Sequence, residues 1–357
     1  MAEVAPTDSS GSARRPPGGV DVARLASVSQ KTVSRVMNNE PHVSPAVRNR
    51  VLDAARQLGY RRNTAARALN LGRFQRIGVV SLGSSLYGPA TLLAELERAV
   101  RDTAYSLSVV STVEGQPRGI ADAIESLLGQ GVDGIVLSEP IDEGQAVRLE
   151  VPVVSFGELA GLEGPWVDIT GLDGTAAGRV ATEHLLRLGH RTVWHVAGPQ
   201  SFGPARDRAS GWRNALAAGG ILEPPMLDGD WTPAAGYAAG AALARTAGVT
   251  AVFAGNDEMA IGVIRALNDA GLAVPERVSV VGFDDIPVAA YVSPPLTTIR
   301  QDFATMAARA LALLIERIDG RGEPPEHDDL PIELVVRKST APPPTDDRPD
   351  DPIRRPM

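Results

Sequence analysis

VSQKTVSRVMN, residues 28–38, is the stretch on which the fold of this chain turns. Val33, Val36 and Met37 recur at helical spacing and point to a small core, which leaves Gln30, Lys31, Ser34 and Arg35 together on the opposite face. Amide and guanidinium groups on one outward stripe can pair with base edges in a DNA major groove. The hydroxyls of Ser29 and Thr32 stand where phosphates are bound, and Asn38, His42 and Ser44 follow at the helix end and in the next loop. Upstream, Val22, Leu25 and Ala26 form a short apolar face before a turn at Ser27-Val28-Ser29. Downstream, Ser44 is an N-cap with Pro45 at the first helical position, and Val47, Val51 and Leu58 carry the pattern to a stop at Gly59. Three short helices between Val20 and Tyr60 are expected.

Charge supports the same reading. The chain carries a net charge of −8, but thirteen Lys and Arg stand against three acids between Arg14 and Arg76. A basic head on an acidic body implies a head that meets a polyanion. A length of 357 residues suits a small head plus a larger bilobed body better than one compact unit. The expected divisions are a disordered tail at 1–19, a helix-turn-helix domain at 20–62, a hinge at 63–75, a body at 76–340 and a second disordered tail at 341–357. Cysteine is absent, which excludes disulfides, thiolate metal sites and a cysteine nucleophile. Residues 1–20 lack the apolar run of a secretory signal, and no later stretch approaches a membrane span, so a cytoplasmic protein with no membrane partner is expected.

From Ile77 onward apolar runs alternate with helical stretches. Strands are expected in IGVVSL from Ile77, LSVVSTV from Leu107, VDGIVLS from Val132, VPVVSF from Val151, RTVWHVAG from Arg191, VTAVFAG from Val249 and RVSVVGF from Arg277, with LTTI and IELVVRKS near the end. Amphipathic helices are expected over Pro89 to Ala104, Ile120 to Gln130, Gly174 to Leu188, Ala205 to Ala218, Asp257 to Ala270 and Phe303 to Ile318. The alternation implies an α/β body of two parallel sheets, about six strands each, with a ligand cleft between the lobes. Polar residues at strand ends are the default contacts there: Asn256 and Asp257, Asp284 and Asp285, and Glu158. Asp284, Arg208 and Trp231 form the set that would recognise a neutral polyol, by carboxylate, guanidinium and aromatic face.

Between head and body, NTAARAL at residues 63–69 is too short to be a stable helix alone. Either it is an ordinary linker helix, or it folds on docking to DNA with Asn63, Ala66 and Leu69 at the minor groove and Leu69 as a wedge between base pairs. The strings DVARLASVSQKTVSRVMN, HVSPAVRNRVLDAARQLGY and NTAARAL, followed by TEHLLRLGH, HVAGP, RDRASGW, FAGNDEMAIG, VVGFDD and PPLTTIRQDF, resemble the LacI/GalR family of repressors, to about Thr340. The resemblance implies a bilobed, periplasmic-binding-protein-like body. It also implies base reading by Gln30, Lys31 and Arg35, an intercalating Leu69, and Asn256, Gln301, Phe303 and Leu86 as further effector neighbours. The chain departs from the family pattern at Gly18 and Gly19, at Ser27 in place of a turn glycine, and at Gly157 and Leu82, where polar effector contacts would stand.

The expected function is therefore a repressor of double-stranded operator DNA, working as a homodimer, with a galactoside-like or related sugar controlling its grip. The tail lacks a leucine heptad, which disfavours a tetramer. No dinucleotide-binding, phosphate-loop, nucleophile-elbow or HExxH motif is present, so no catalysis, metal or cofactor is expected. The alternatives are a purine-type corepressor-dependent regulator and a free sugar-binding protein.

Overall fold

The computed structural model describes Arg15 and residues 17–37, 40–60, 72–82, 86–112, 119–138, 147–157, 161–164, 166–320 and 330–344. Asn38, Asn63, Ala66, Leu69 and Glu158 lie outside the described residues, as does most of the expected hinge. Two compact units divide between Phe74 and Gln75.

The first unit holds α1 (Gly19–Leu25), α2 (Gln30–Met37) and α3 (Pro45–Leu58). Val22, Val33, Val36 and Val51 are its buried centre, with Ala23, Ala26, Ala54 and Ala55 around them. Leu25, assigned to the inner face by its spacing, is instead exposed, and Ala23 takes the inner position. A helix of seven residues has too few turns for one apolar periodicity to settle its rotation. The helix also starts at Gly19, with Gly18 as N-cap, so these two glycines belong to the head rather than to a tail. Asp21 compensates the missing capping hydroxyl: its carboxylate accepts the Gly18 N–H at 2.9 Å. Ser44 holds the N-cap position of α3 but its hydroxyl bonds no helix N–H, while Gly59 closes α3 in the left-handed conformation. Arg48 ties α3 to the end of α2, donating to the carbonyls of Glu40 at 2.9 Å and Val36 at 3.5 Å.

The second unit contains two main sheets. The first orders as β2 (Ser106–Thr112), β1 (Arg76–Leu82), β3 (Gly134–Leu137), β5 (Val153–Ser155) and β7 (Val167–Ile169), all parallel. The second orders as β13 (Glu333–Val335), β12 (Thr297–Arg300), β11 (Ser279–Asp284), β10 (Ala251–Ala254), β8 (Trp194–Ala197) and β9 (Leu227–Asp228), and only its β12–β13 edge is antiparallel. A small parallel pair joins β4 (Val147–Arg148) to β6 (Leu162–Glu163). The expected near-equal parallel sheets are thus five and six strands.

Helices cover both faces of each sheet. α4 (Tyr87–Ala99) and α10 (Phe303–Ile318) bury one side of the first sheet, and α5 (Ile120–Gly129) the other. On the second sheet, α6 (Gly174–Arg187) and α7 (Gly203–Ala218) lie on one side, α8 (Pro233–Leu243) and α9 (Asp257–Asp269) on the other. The chain crosses between lobes three times: from β7 to α6, from β12 back to α10, and from α10 to β13. The segment after β13 is also built in. Ala341, assigned to a disordered tail, accepts from His190 Nε2 at 3.0 Å and from Ser279 Oγ at 2.9 Å.

Ser27 adopts φ 52°, a left-handed turn conformation that a side chain resists. Ser27→Gly is expected to stabilise the head by about 0.5 to 1 kcal/mol, since glycine avoids the strain but loses more chain entropy on folding. Amide hydrogen exchange at Val33 and Val51 in the whole chain would read this as roughly 2- to 5-fold slower exchange.

Candidate functional site

Two surfaces carry the chemistry, one in each unit. On α2, Val33 and Val36 are buried while Gln30, Lys31, Ser34 and Arg35 are exposed, so the outward stripe exists as the spacing implied. Ser29 caps this helix, accepting the Thr32 N–H at 3.0 Å, and its hydroxyl also meets that of Thr32 at 2.8 Å. The first duty of this hydroxyl pair is therefore to fix the N-terminal turn of α2. Arg35 lies 3.7 Å from Glu40, an exposed pairing that costs little to exchange for a phosphate or a base. His42 and Ser44 are exposed in the following loop, His42 at φ 72°.

In the body, a cavity of about 450 Å³ gathers Leu86, Arg208, Trp231, Asn256, Asp284, Gln301 and Phe303. Gly157 lines it too, at φ 116°, a backbone conformation that disfavours a side chain at this position. The strand-end rule finds Asn256 and Asp284 but over-extends to two neighbours. Asp257 is wholly buried, accepting the Ile286 N–H at 2.9 Å and the Thr298 hydroxyl at 2.5 Å. Asp285 pairs with Arg300 at 2.8 Å and Arg337 at 2.6 Å. Sequence reasoning missed Asp173, Asp207, Glu258, Phe202 and Phe283, all of which line the cavity. Their signal was position: Glu258 shares the turn of Asn256, Asp207 precedes Arg208, and Phe283 precedes Asp284.

Arg208 enters from α7 and is held by the Gly255 carbonyl at 2.5 Å, with its guanidinium carbon 3.7 Å from the Phe283 ring centroid and 5.4 Å from that of Trp231. Among the described residues its Nε is buried without a hydrogen-bond partner. Asp284, on the end of β11 at φ 114°, accepts from the Gln301 amide at 2.6 Å and lies 3.8 Å from Arg208. That last separation is too long for a charge-assisted hydrogen bond. Burial therefore outweighs the cation, and the Asp284 carboxyl is pushed up to about 6. Burial likewise lowers the Arg208 guanidinium. Asn256 caps α9 through the Met259 N–H at 2.9 Å and holds the Trp231 carbonyl at 3.0 Å. Trp231, at φ 72°, packs its indole against Gly198, where a Cβ would stand 2.2 Å from the ring.

His195 lies wholly buried beneath this wall. Its Nδ1 donates to the Phe253 carbonyl at 2.9 Å and its ring stacks 4.7 Å from that of Phe253, while Nε2 has no partner among the described residues. Burial lowers its pKa to about 4, so the ring is neutral and structural.

Asp284 and His195 give opposite acid responses. The folded chain binds the Asp284 proton more tightly than the unfolded chain does, between about 6 and 3.8, so this residue adds stability as pH falls through that window. The folded chain binds the His195 proton less tightly, between 6.5 and about 4, so this residue's contribution is lost as pH falls. Urea unfolding at pH 7.5 and 4.5 should show Asp284→Asn losing about 2 kcal/mol more on acidification than the parent, and His195→Phe about 2 kcal/mol less. Parallel curves for all three proteins would contradict both assignments.

Comparisons with known proteins agree in both units. Residues 20–63 match the model of bacterial regulatory proteins, lacI family, and residues 182–340 that of a periplasmic binding protein-like domain. The lactose operon repressor of Escherichia coli (strain K12) is 32% identical over 331 residues, covering 91% of both chains. The HTH-type transcriptional regulator CelR of Thermobifida fusca is 34% identical over 342 residues, covering 91% of this chain and 99% of that protein. The HTH-type transcriptional repressor PurR of Pasteurella multocida (strain Pm70) is 32% identical over 329 residues, with 89% and 97% covered. Among solved structures, the lac repressor bound to ONPG in its repressed state gives a TM-score of 0.81 at 31% identity, covering 91% of this chain and all of the other. The CelR–cellobiose complex gives 0.66 at 32% identity, covering 90% and 99%.

Proposed function

Because the chain belongs to the LacI family of bacterial regulatory proteins, we propose that it is a repressor whose hold on operator DNA is set by a small saccharide bound in the Arg208–Trp231–Asp284 cleft. Family membership supplies the DNA-binding repressor and its ligand-binding domain. The saccharide, galactoside-like or a relative of it, rests on the wall of the cavity contributed by the second lobe. There an indole face, a buried guanidinium with an unbonded Nε, a carboxylate and an amide converge within one space of about 450 Å³. Vicinal hydroxyls are recognised by such donors and acceptors, while a sugar ring packs its C–H face on the aromatic plane. Asp173, Asp207, Glu258 and Asp284 also outnumber Arg208 along the lining, which disfavours a phosphorylated effector.

On DNA, the outward stripe of α2 reads bases in the major groove, and two copies act together because one head makes few contacts. No described helix is long and apolar enough to cross a membrane, consistent with a regulator that meets DNA directly. The effector acts by binding one arrangement of the lobes better than the other. A coupling of about 1 to 3 kcal/mol changes operator affinity roughly 5- to 150-fold.

Calorimetry of the whole chain against galactosides, cellobiose, other mono- and disaccharides and a set of purines tests this reading. A neutral saccharide is expected to bind, its phosphorylated form at least about 10-fold more weakly, and Asp284→Ala to reduce its affinity by a similar factor, about 1.4 kcal/mol. Binding of a purine alone, or an affinity indifferent to Asp284→Ala, would overturn it.

A further inference from the structure

Three acids stand among the thirteen Lys and Arg between Arg14 and Arg76, and two of them are engaged by their own helices. Asp21 accepts the Gly18 N–H and lies 3.5 Å from Arg24, one turn along α1, and Asp53 meets Arg56 one turn along α3. Glu40 belongs to no helix. Its main chain is nonetheless fixed from two sides: its N–H donates to the Arg35 carbonyl at 3.0 Å, and its carbonyl accepts from Arg48 of α3 at 2.9 Å. The closing turn of α2 therefore sets where the carboxylate stands. It stands beside the outward stripe, with Oε2 3.7 Å from Nε of Arg35.

A guanidinium presents its Nε–H along one edge and two amino groups at its far end, and the far pair is the one that meets O6 and N7 of guanine in the major groove. Glu40 faces the near edge. A base can therefore be read while the carboxylate keeps its place beside Nε. A phosphate is different, because an arginine that swings to the DNA backbone either leaves Glu40 or draws a second negative charge up to it, and like charges repel. Both side chains are about half exposed, so the pair adds little to the stability of the head. Its effect falls on which partner Arg35 takes.

We infer that Glu40 is a positioning residue that holds Arg35 by its Nε edge, aims the guanidinium fork at guanine and withholds it from phosphate, and so sharpens base selection. The inference rests on the proposed reading of α2 as the helix that enters the groove. Arg35 does the reading and Glu40 acts only through it. An arginine–guanine pair discriminates against other bases about 5- to 150-fold, which leaves ample range for a partner residue to change.

Selection from a randomised duplex pool with the whole chain, then titration of the selected duplex and its single-base variants, tests the inference. Arg35→Ala is expected to abolish the guanine preference at one base pair and so to identify the pair that Arg35 reads. Glu40→Ala is expected to lower the preference at that same pair at least about 3-fold and to leave other positions within about 2-fold, while binding to an unselected duplex tightens. In the Arg35→Ala background the Glu40→Ala substitution is expected to change no base preference, since the partner it acts through is gone. Equal tightening on every duplex, which marks a mere loss of negative charge, would overturn the inference. So would a preference lost at a different pair, which would make Glu40 a reader in its own right, or one lost at every position together, which marks a damaged head. A parent chain that enriches no sequence at all would instead remove the DNA reading on which the inference rests.

Discussion

The buried carboxylate of Asp257 is the constraint on which the second lobe depends. Its two oxygens take the Ile286 N–H and the Thr298 hydroxyl, from the loop after β11 and from β12. Gly282 leaves it room, for a Cβ there would stand 2.1 Å from Oδ1. A carboxyl removed from water costs free energy unless its oxygens find donors, and each oxygen here has one. Burial still pushes its pKa well above the usual carboxylate range. In return, three strand ends are tied at one point. Asn256 precedes the anchor in sequence, Asp284 ends β11, and Gln301 follows β12, so the polar groups of the cleft converge because their strands end at a shared knot.

That convergence includes two residues in unfavourable backbone conformations. Trp231 and Asp284 both have positive φ, each at a cost of about 1 to 3 kcal/mol, and both face the cavity. They persist because their surroundings over-determine them: Asn256 grips the Trp231 carbonyl, Gly198 receives the indole, and Gln301 bonds the Asp284 carboxylate. The apolar packing of α8 and α9 against the sheet supplies the stability that offsets this strain.

Legibility in the sequence followed physical signal strength. The head was readable because valines at helical spacing and a basic segment point the same way, although the rotation of α1 at Leu25 was not. The alternating body was readable from its apolar runs, but α8 was not. Its residues, PAAGYAAGAAL, are mostly small and give little periodic contrast. They exist for close backbone approach, since a Cβ on Gly236 would fall 2.1 Å from the Met259 carbonyl and one on Gly262 2.1 Å from that of Pro233. Strand-end polarity located Asn256 and Asp284 yet could not separate them from Asp257 and Asp285. Which side a side chain turns at a strand end is set by tertiary partners such as Thr298 and Arg337, far away in sequence.

The two walls of the cavity differ in kind, and the difference bears on control. The second-lobe wall is polar and already bonded to its own scaffold through Gly255, Trp231 and Gln301. The first-lobe wall is mainly apolar, with Leu86, Pro89, Leu92, Phe156 and Ile169. Directional bonds to a pre-organised wall orient a ligand but are much the same in either arrangement of the lobes. A ligand bound equally well by both arrangements shifts nothing, however tightly it is held. Apolar contact with the first lobe, by contrast, grows as the lobes approach, at about 25 cal/mol for each Å² removed from water. On the proposed reading, specificity and control divide between the walls: the polar side would select the ligand, and area gained on the apolar side would generate the differential affinity that a regulator needs.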